Sequence, residues 1–230
     1  MKYFDQFFKD NTGKYVAEEM QNESNERRSI KRFFENSQIK DSRGNEFTVD
    51  YIYKVQPKHM TRSASGVKTS RYLFHGTEAS KVHGVLKKGF RDDMTNRGCC
   101  GLQGTYLSNI SAVASLFGEF GYYWSQLRQL KMHCTCVIVC SILDKSVKEF
   151  GVKNNCRLDK RNRQHPVEKF NGIFSVNETV KFEDFIHDDF KKAMGSINLS
   201  VTDCRSFDKY LVGQQVLKPE YIVFASKPSI

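Results

Sequence analysis

A histidine, a glycine and a threonine stand together at positions 75–77, directly after a short aromatic and aliphatic run. Residues 72–74 have high β-strand preference, and Gly76 interrupts the strand. Apolar residues then recur at helical spacing over 79–90. The order predicts a strand tip that presents His75, Gly76 and Thr77 beside a helix N-terminus, where unpaired N–H groups bind polar or anionic ligands. On spacing alone, a histidine in an ordinary surface turn is an equal alternative.

The length, composition and charge of the chain bound its class. At 230 residues we expect a single domain over 1–230, with a helical lead-in over 1–45 and a core over 46–230. A hydrophobic content of 39% indicates a globular protein and argues against a disordered one. The net charge of +10 is concentrated in residues 71–163, which hold fifteen basic and seven acidic side chains. Such a segment suits an anionic ligand, a nucleic acid or an acidic protein, although ordinary solvated lysine and arginine is the commoner reason.

The cysteines and the apolar runs indicate a compartment. Seven cysteines are an odd number and suggest no disulfide framework. The first eleven residues mix charges with aromatics and do not resemble a signal peptide. The longest apolar run, 134–143, is too short to span a bilayer. We therefore expect no membrane segment and a reducing compartment, the cytoplasm or the nucleus.

His133 with Cys134, Cys136 and Cys140 invites a zinc interpretation. The three cysteines alternate along a predicted strand over 132–143 and so share one face. Structural zinc sites instead use two short turn-forming cysteine pairs. We therefore expect reduced cysteines in the core, and no metal.

The N-terminal half divides into a few predicted elements. Residues 1–45 read as mostly helical, with Ile30, Phe33 and Phe34 on one face. A turn follows at 41–45, then a strand over 46–55 that Pro57 ends, then a surface loop over 58–70. The apolar positions that alternation assigns to one side of that strand are Phe47, Val49, Tyr51, Tyr53 and Val55.

The C-terminal half alternates short strands with helices. A strand over 104–107 precedes a helix that Ser108 or Asn109 should cap. The predicted inner face of that helix is Ile110, Val113, Ala114 and Phe117. We predict packing for the aromatic residues 120–124, an irregular basic stretch over 153–163, a strand over 173–176, a helix over 182–194, and two closing antiparallel strands over 209–212 and 219–224. This order favours an α+β fold with antiparallel sheets.

Three motifs in order resemble a known family. Leu-Phe-His-Gly-Thr at 73–77 and Gly-Thr-Tyr-Leu-Ser at 104–108 stand about thirty residues apart, and Pro-Glu-Tyr-Ile-Val-Phe occupies 219–224. With the strand at 52–56 and the helix before it, residues 27–225 resemble the catalytic domain of the poly(ADP-ribose) polymerase family, the diphtheria-toxin-like ADP-ribosyltransferases. The resemblance implies the ADP-ribosyltransferase fold, in which two antiparallel β-sheets with flanking helices form a cleft for NAD, the substrate.

The resemblance also implies roles for individual residues. His75 would bind the hydroxyls of the nicotinamide-side ribose, with Thr77 beside it, and the backbone of Gly76 would pair with the carboxamide. Tyr106 would pack on the nicotinamide-ribose end. Phe117 takes the place of the usual stacking tyrosine and keeps the stacking.

Two positions depart from the family pattern. The family's carboxamide-binding serine corresponds to Ala114, with Ser111 and Ser115 as nearby substitutes. The third motif position falls on Asp208 or on Phe207, depending on the anchor of the count, and neither is the glutamate of polymer-forming members. Phenylalanine has no group that activates an acceptor, and aspartate is shorter. His75, Tyr106 and Asp208 are therefore the candidate catalytic residues, and mono-transfer to a protein acceptor is favoured over polymer formation.

Two other functions stay open. The chain would be a catalytically inactive module that binds NAD, ADP-ribose, RNA or a protein if the departures abolish turnover. It would be a related transferase acting on an RNA or DNA phosphate end if the basic middle segment binds nucleic acid. Nucleic acid is the less favoured partner, because no basic stripe with interleaved aromatics is present.

Overall fold

The computed structural model describes residue 8 and residues 13–38, 44–58, 69–90, 105–125, 130–143, 173–180, 207–212 and 217–229. The helices in this part of the chain are α1 (Asn25–Glu35), α2 (Ala79–Lys88) and α3 (Ser111–Phe117). The strands are β1 (Tyr15–Glu19), β2 (Thr48–Pro57), β3 (Thr69–Gly76), β4 (Thr105–Ser108), β5 (Glu119–Ser125), β6 (Leu130–Leu143), β7 (Ile173–Val180), β8 (Phe207–Val212) and β9 (Leu217–Pro228).

The strands form an antiparallel sheet in two unequal parts. Six strands pair in the order β1-β2-β9-β6-β3, with β5 also on β6. Three more pair in the order β4-β8-β7. The two parts are joined through one residue pair, Phe74 with Ser108. The chain is therefore a mixed α+β protein with an antiparallel sheet, as the order of predicted elements indicated.

Helices cover both faces of the six-stranded part. On one face, Val82 and Leu86 of α2 pack with Cys136 and Ile138 of β6. On the other, Phe34 of α1 and Ala114 of α3 pack with Val137 and Val139. Every residue of β6 from Met132 to Ser141 is buried, as expected of a central strand with both faces covered. The sheet thus has a separate hydrophobic cluster on each face, one with α2 and the other with α1 and α3.

The cysteine prediction is confirmed for the described residues. Cys134, Cys136 and Cys140 are free and buried, and Cys136 and Cys140 belong to one core cluster. Burial raises the pKa of the Cys136 thiol, which keeps it neutral. No group of three metal-ligating side chains occurs in the part of the chain that the structure describes.

The face assignment within β2 is wrong after Val49. The pairing of β2 with β9 shifts between Val49 and Tyr51, which is the signature of a β-bulge. Phe47 and Val49 lie in the cluster with α1, and Ile52, predicted to be on the opposite side, joins them. Tyr53 then packs in the other cluster. One inserted residue reverses the faces of the strand, because side chains alternate with a period of two.

The described part of the N-terminal segment, residue 8 and residues 13–38 and 44–45, is not mostly helical. Tyr15 to Glu19 form β1, which pairs with β2 at the sheet edge. The helix predicted next is present, with Ser24 accepting from Arg27 N as its N-cap, and with Ile30 and Phe34 buried. The predicted turn is described only from Gly44, whose φ of 80° suits glycine.

The last two strands form as predicted but do not pair with each other. β8 lies between β4 and β7, while β9 lies between β2 and β6. β8 therefore belongs to one part of the sheet and β9 to the other. The predicted helix over 182–194, the basic stretch over 153–163 and most of the loop over 58–70 lie outside the described residues.

None of the helices in the described ranges combines the length and the apolar character that crossing a membrane requires.

Candidate active site

The predicted site lies where the two parts of the sheet separate. β3 pairs with β6 from Thr69 to Gly76, whereas its pairing with β4 is limited to Phe74 opposite Ser108. β4 continues along β8 over four residues. His75 and Gly76 therefore extend past the point at which β4 leaves the edge of β3.

The backbone of Gly76 faces that point of separation. Thr77 donates its N–H to the Cys136 carbonyl of β6, 3.3 Å away. In an antiparallel ladder, neighbouring residues direct their N–H and C=O groups to opposite edges. Those of Gly76 consequently point away from β6, to the edge from which β4 diverges. A donor and an acceptor on one residue match the two hydrogen-bonding groups of a primary amide.

Gly76 has its residue type because the end of α3 lies against it. A Cβ built on Gly76 would overlap the carbonyl oxygen of Ala114 and would lie 2.9 Å from the Gly118 nitrogen. A Cβ on Gly118 would likewise overlap the Cys136 carbonyl oxygen. The two glycines let β3, β6 and the end of α3 meet backbone to backbone, and Cys136 N–H donates to Gly118 O at 2.7 Å. The requirement at both positions is close approach, not a left-handed backbone.

His75 and Thr77 differ in their surroundings. The His75 ring is partly exposed and meets the edge of Phe90, with 5.1 Å between ring centroids. Phe90 is a buried residue just after α2. Thr77 is buried, and its N–H donates to a carbonyl of β6. His75 is thus presented at the strand tip, while Thr77 anchors that tip to the sheet.

Phe117 is not on the inner face of α3. Val113 and Ala114 are buried as predicted, but Phe117 is 53% exposed at the last helical position. It directly precedes Gly118, which contacts the region of Gly76. A large exposed aromatic side chain therefore lies at the end of the helix that packs beside the strand tip.

The hydroxyls of the two serines near Ala114 form hydrogen bonds with residues at the end of α1. Ser111 is fully buried and donates its hydroxyl to Phe34 O at 2.5 Å. Ser115 is also fully buried, and Gln38 Nε2 donates to its hydroxyl at 3.3 Å. Both hydroxyls contact residues at the end of α1. Neither replaces the hydroxyl that Ala114 lacks.

For Tyr106 and Asp208 the structure describes the backbone. Tyr106 in β4 is opposite Leu211 in β8, and Ser108 is opposite Lys209. Asp208 therefore follows one step beyond the Ser108 pair, on the strand next to Tyr106. The two candidate positions lie on neighbouring strands, and β4 joins β3 one residue before His75.

Sequence reasoning did not single out Gly118, Ser37 or Gln38. Gly118 follows a predicted helix, and a glycine at that position commonly ends the helix. No separate sequence signal shows that it also allows close packing. Ser37 and Gln38 act through contacts more than seventy residues away.

A scan against the profiles of known protein families finds no match. A search of curated proteins also finds no significant match.

Proposed function

We propose that the chain is a NAD-dependent mono-ADP-ribosyltransferase with the ADP-ribosyltransferase fold, which transfers ADP-ribose to a protein acceptor in the cytoplasm or nucleus and releases nicotinamide. The observation that carries the proposal is the strand tip at Gly76. Its amide donor and acceptor are directed to the edge that β4 leaves, and an exposed aromatic ends the helix packed beside it.

The chemistry required matches these residue types. The bond between ribose C1′ and the nicotinamide nitrogen breaks, and its electron pair leaves with neutral nicotinamide. The acceptor's nucleophilic atom then forms a bond to C1′ and loses its proton. Gly76 would orient the leaving carboxamide by two backbone hydrogen bonds, and His75 would bind the ribose hydroxyls. Fixed positioning of both fragments lowers the barrier without a protein nucleophile.

Stacking would supply the remaining orientation. Phe117 would cover one side of the nicotinamide ring, and Tyr106 would pack at its ribose end. The third motif position, Asp208 or Phe207, carries no glutamate, and this supports transfer of a single unit. The basic segment over 71–163 would attract the pyrophosphate.

A second candidate is a module that binds NAD or ADP-ribose, RNA or a protein without turnover. One observation favours it. Ala114 offers no hydroxyl to a carboxamide, and Ser111 and Ser115 are bonded to the end of α1. The amide would then be held by the backbone alone.

A labelling reaction and a benzamide-binding measurement together separate these functions. Purified protein is incubated with labelled NAD, lysate proteins and RNA, and label is counted in each fraction. The proposal expects label on protein that His75→Ala removes, while Ser29→Ala, an exposed substitution on α1, retains it. Benzamide binding without any label would establish the silent module instead. Label on RNA alone would indicate a transferase for nucleic-acid ends. The absence of both label and benzamide binding would refute the transferase and a silent module that binds NAD.

A further inference from the structure

The short helix α3 is not capped by its own sequence. It has seven residues, and its N-cap position is Ile110, which makes no side-chain capping bond. Ser108, predicted to cap it, accepts instead from Ile110 N–H at 3.1 Å. A helix of two turns with unpaired first amides is unstable on its own. Something outside the helix must hold it.

Ser37, just beyond α1, caps α3 from a distance. Its hydroxyl accepts from Ser111 N–H at 2.9 Å, and its carbonyl accepts from Ala112 N–H at 3.2 Å. These are the first two amides of α3, which have no partner within a helix. Ser37 thereby accepts hydrogen bonds from two amides of α3. An N-cap residue adjacent in sequence normally has this role.

Gln38 extends this contact along α3. Its side-chain nitrogen donates to Ser111 Oγ at 2.7 Å and to Ser115 Oγ at 3.3 Å. Both hydroxyls are fully buried. Buried polar groups that lose their partners are costly, so the bonds specify one position of α3.

The same end of α1 also packs on β3. The Phe33 ring stacks on Phe74, with 4.4 Å between centroids and 22° between planes. Phe34 meets Phe74 edge-on at 6.0 Å. Phe74 precedes His75 and is the residue where β3 meets β4. The end of α1 therefore contacts both elements that form the site, the strand tip and the helix that carries Phe117.

We propose that Ser37 and Gln38 are positioning residues, through which α1 sets the place of α3 against the strand tip and so sets the ligand affinity of the site. The site meant is the one proposed above, and the affinity part of this inference rests on that function. The positioning part rests on the contacts alone. Ser37 acts through Ser111 and Ala112, and Gln38 acts through Ser111 and Ser115.

The test compares Ser37→Ala with Ser29→Ala and Ser37→Thr in the full chain. Ser29 lies on α1, and its hydroxyl donates to Asn25 O within that helix, so its loss controls for α1 stability. Gln38→Met is a second variant, to be used if Ser37→Ala does not fold. It keeps the length of the side chain. Amide hydrogen exchange is followed by mass spectrometry, and benzamide affinity is measured by calorimetry at a temperature where circular dichroism shows every variant folded.

Loss of the cap should accelerate exchange about ten-fold in residues 111–118 and in the tip over 74–77, while β9 is unchanged. Benzamide affinity should fall about ten-fold, equivalent to about 1.4 kcal/mol. Ser37→Thr should restore both, because its hydroxyl also caps. A role in overall stability alone would leave the affinity of folded protein unchanged.

Each remaining outcome decides one part. Unchanged exchange in 111–118, or a uniform rise over the whole chain, would overturn the positioning role. Unchanged affinity with accelerated exchange would overturn the link to the site. If wild-type protein binds no benzamide, the proposed function fails, and the exchange pattern alone decides whether α1 positions α3.

Discussion

Replacing Gly76 by alanine tests whether α3 lies against the strand tip. The added methyl group would overlap the Ala114 carbonyl and approach the Gly118 nitrogen at 2.9 Å. Both obstacles are backbone atoms, which a side-chain rotation cannot clear. Forcing a methyl into a packed contact costs about 1–3 kcal/mol. For a domain of this size each kcal/mol lowers the melting temperature by about 2–4 °C. We expect Gly76→Ala to melt about 2–12 °C lower.

Gly84 supplies the matched control. It lies within α2, is exposed, and has no atom within 4 Å of a built Cβ. Alanine there removes backbone freedom from the unfolded chain and should stabilise by about 0.5–1 kcal/mol. The two glycine-to-alanine changes are chemically identical, so their opposite signs isolate the contact with α3.

Differential scanning fluorimetry gives both melting temperatures, and calorimetry with benzamide gives the affinity. Gly76→Ala should also abolish benzamide binding at a temperature where the variant is folded, because the displaced tip no longer presents its amide. Equal melting temperatures for wild type and Gly76→Ala would refute the close packing. Undiminished binding would refute the use of the Gly76 backbone.

Three further substitutions test other parts of the structure. Phe117→Ala, at an exposed position, should change unfolding free energy by less than about 0.5 kcal/mol in a denaturant titration, while benzamide affinity falls about ten-fold; a large stability loss would mean that the ring is packed. Arg27→Met removes a buried Nε that has no hydrogen-bond partner in the described residues, but it also removes the hydrogen bond from Nη2 to the Asp50 carbonyl at 3.3 Å. The two effects oppose each other, so the unfolding free energy in a urea titration should change by less than about 1.5 kcal/mol, and a larger loss would contradict this. Hydrogen bonds from Lys54 and Tyr221 lower the pKa of Glu26 from 4.5, so its contribution is present above pH 4.5 and is lost as pH falls through the lower folded value. Glu26→Gln should therefore reduce the loss of unfolding free energy at acid pH by less than about 1 kcal/mol, because the Glu26–Lys54 pair is partly exposed. An unchanged loss at acid pH would show that the Glu26 carboxylate does not contribute to it.

The elements around the strand tip were predictable because their signals are local. The strand at 72–74, the helix from Ala79 and the central strand over 132–143 each follow from a short period of apolar residues. Gly89, with φ of 83°, ends α2. The glycine at position 76 was also identifiable as a break. Its reason, the contact with Ala114, was not, since no pattern states which helix will pack there.

The bulge in β2 and the separation of β8 from β9 required information that alternation does not contain. A period of two cannot report an inserted residue, and the shift at Val49 reverses every later side chain. Strands that are close in sequence often pair. Here β4 pairs with β8, and β6 pairs with β9, so the neighbouring strands are divided between two parts of the sheet.

The position of α3 cannot be predicted from local sequence patterns. Its own residues predict a helix, but Ile110 gives it no cap and seven residues are too few for stability alone. The residues that complete it are 74 positions earlier, where Ser37 follows the last turn of α1. Because α1 also stacks on Phe74, the pieces that would grip a ligand share one support. The residue types of the candidate site can thus be identified from the sequence around 75 and 106–117. Their positions relative to one another depend on the contacts of residues 33–38.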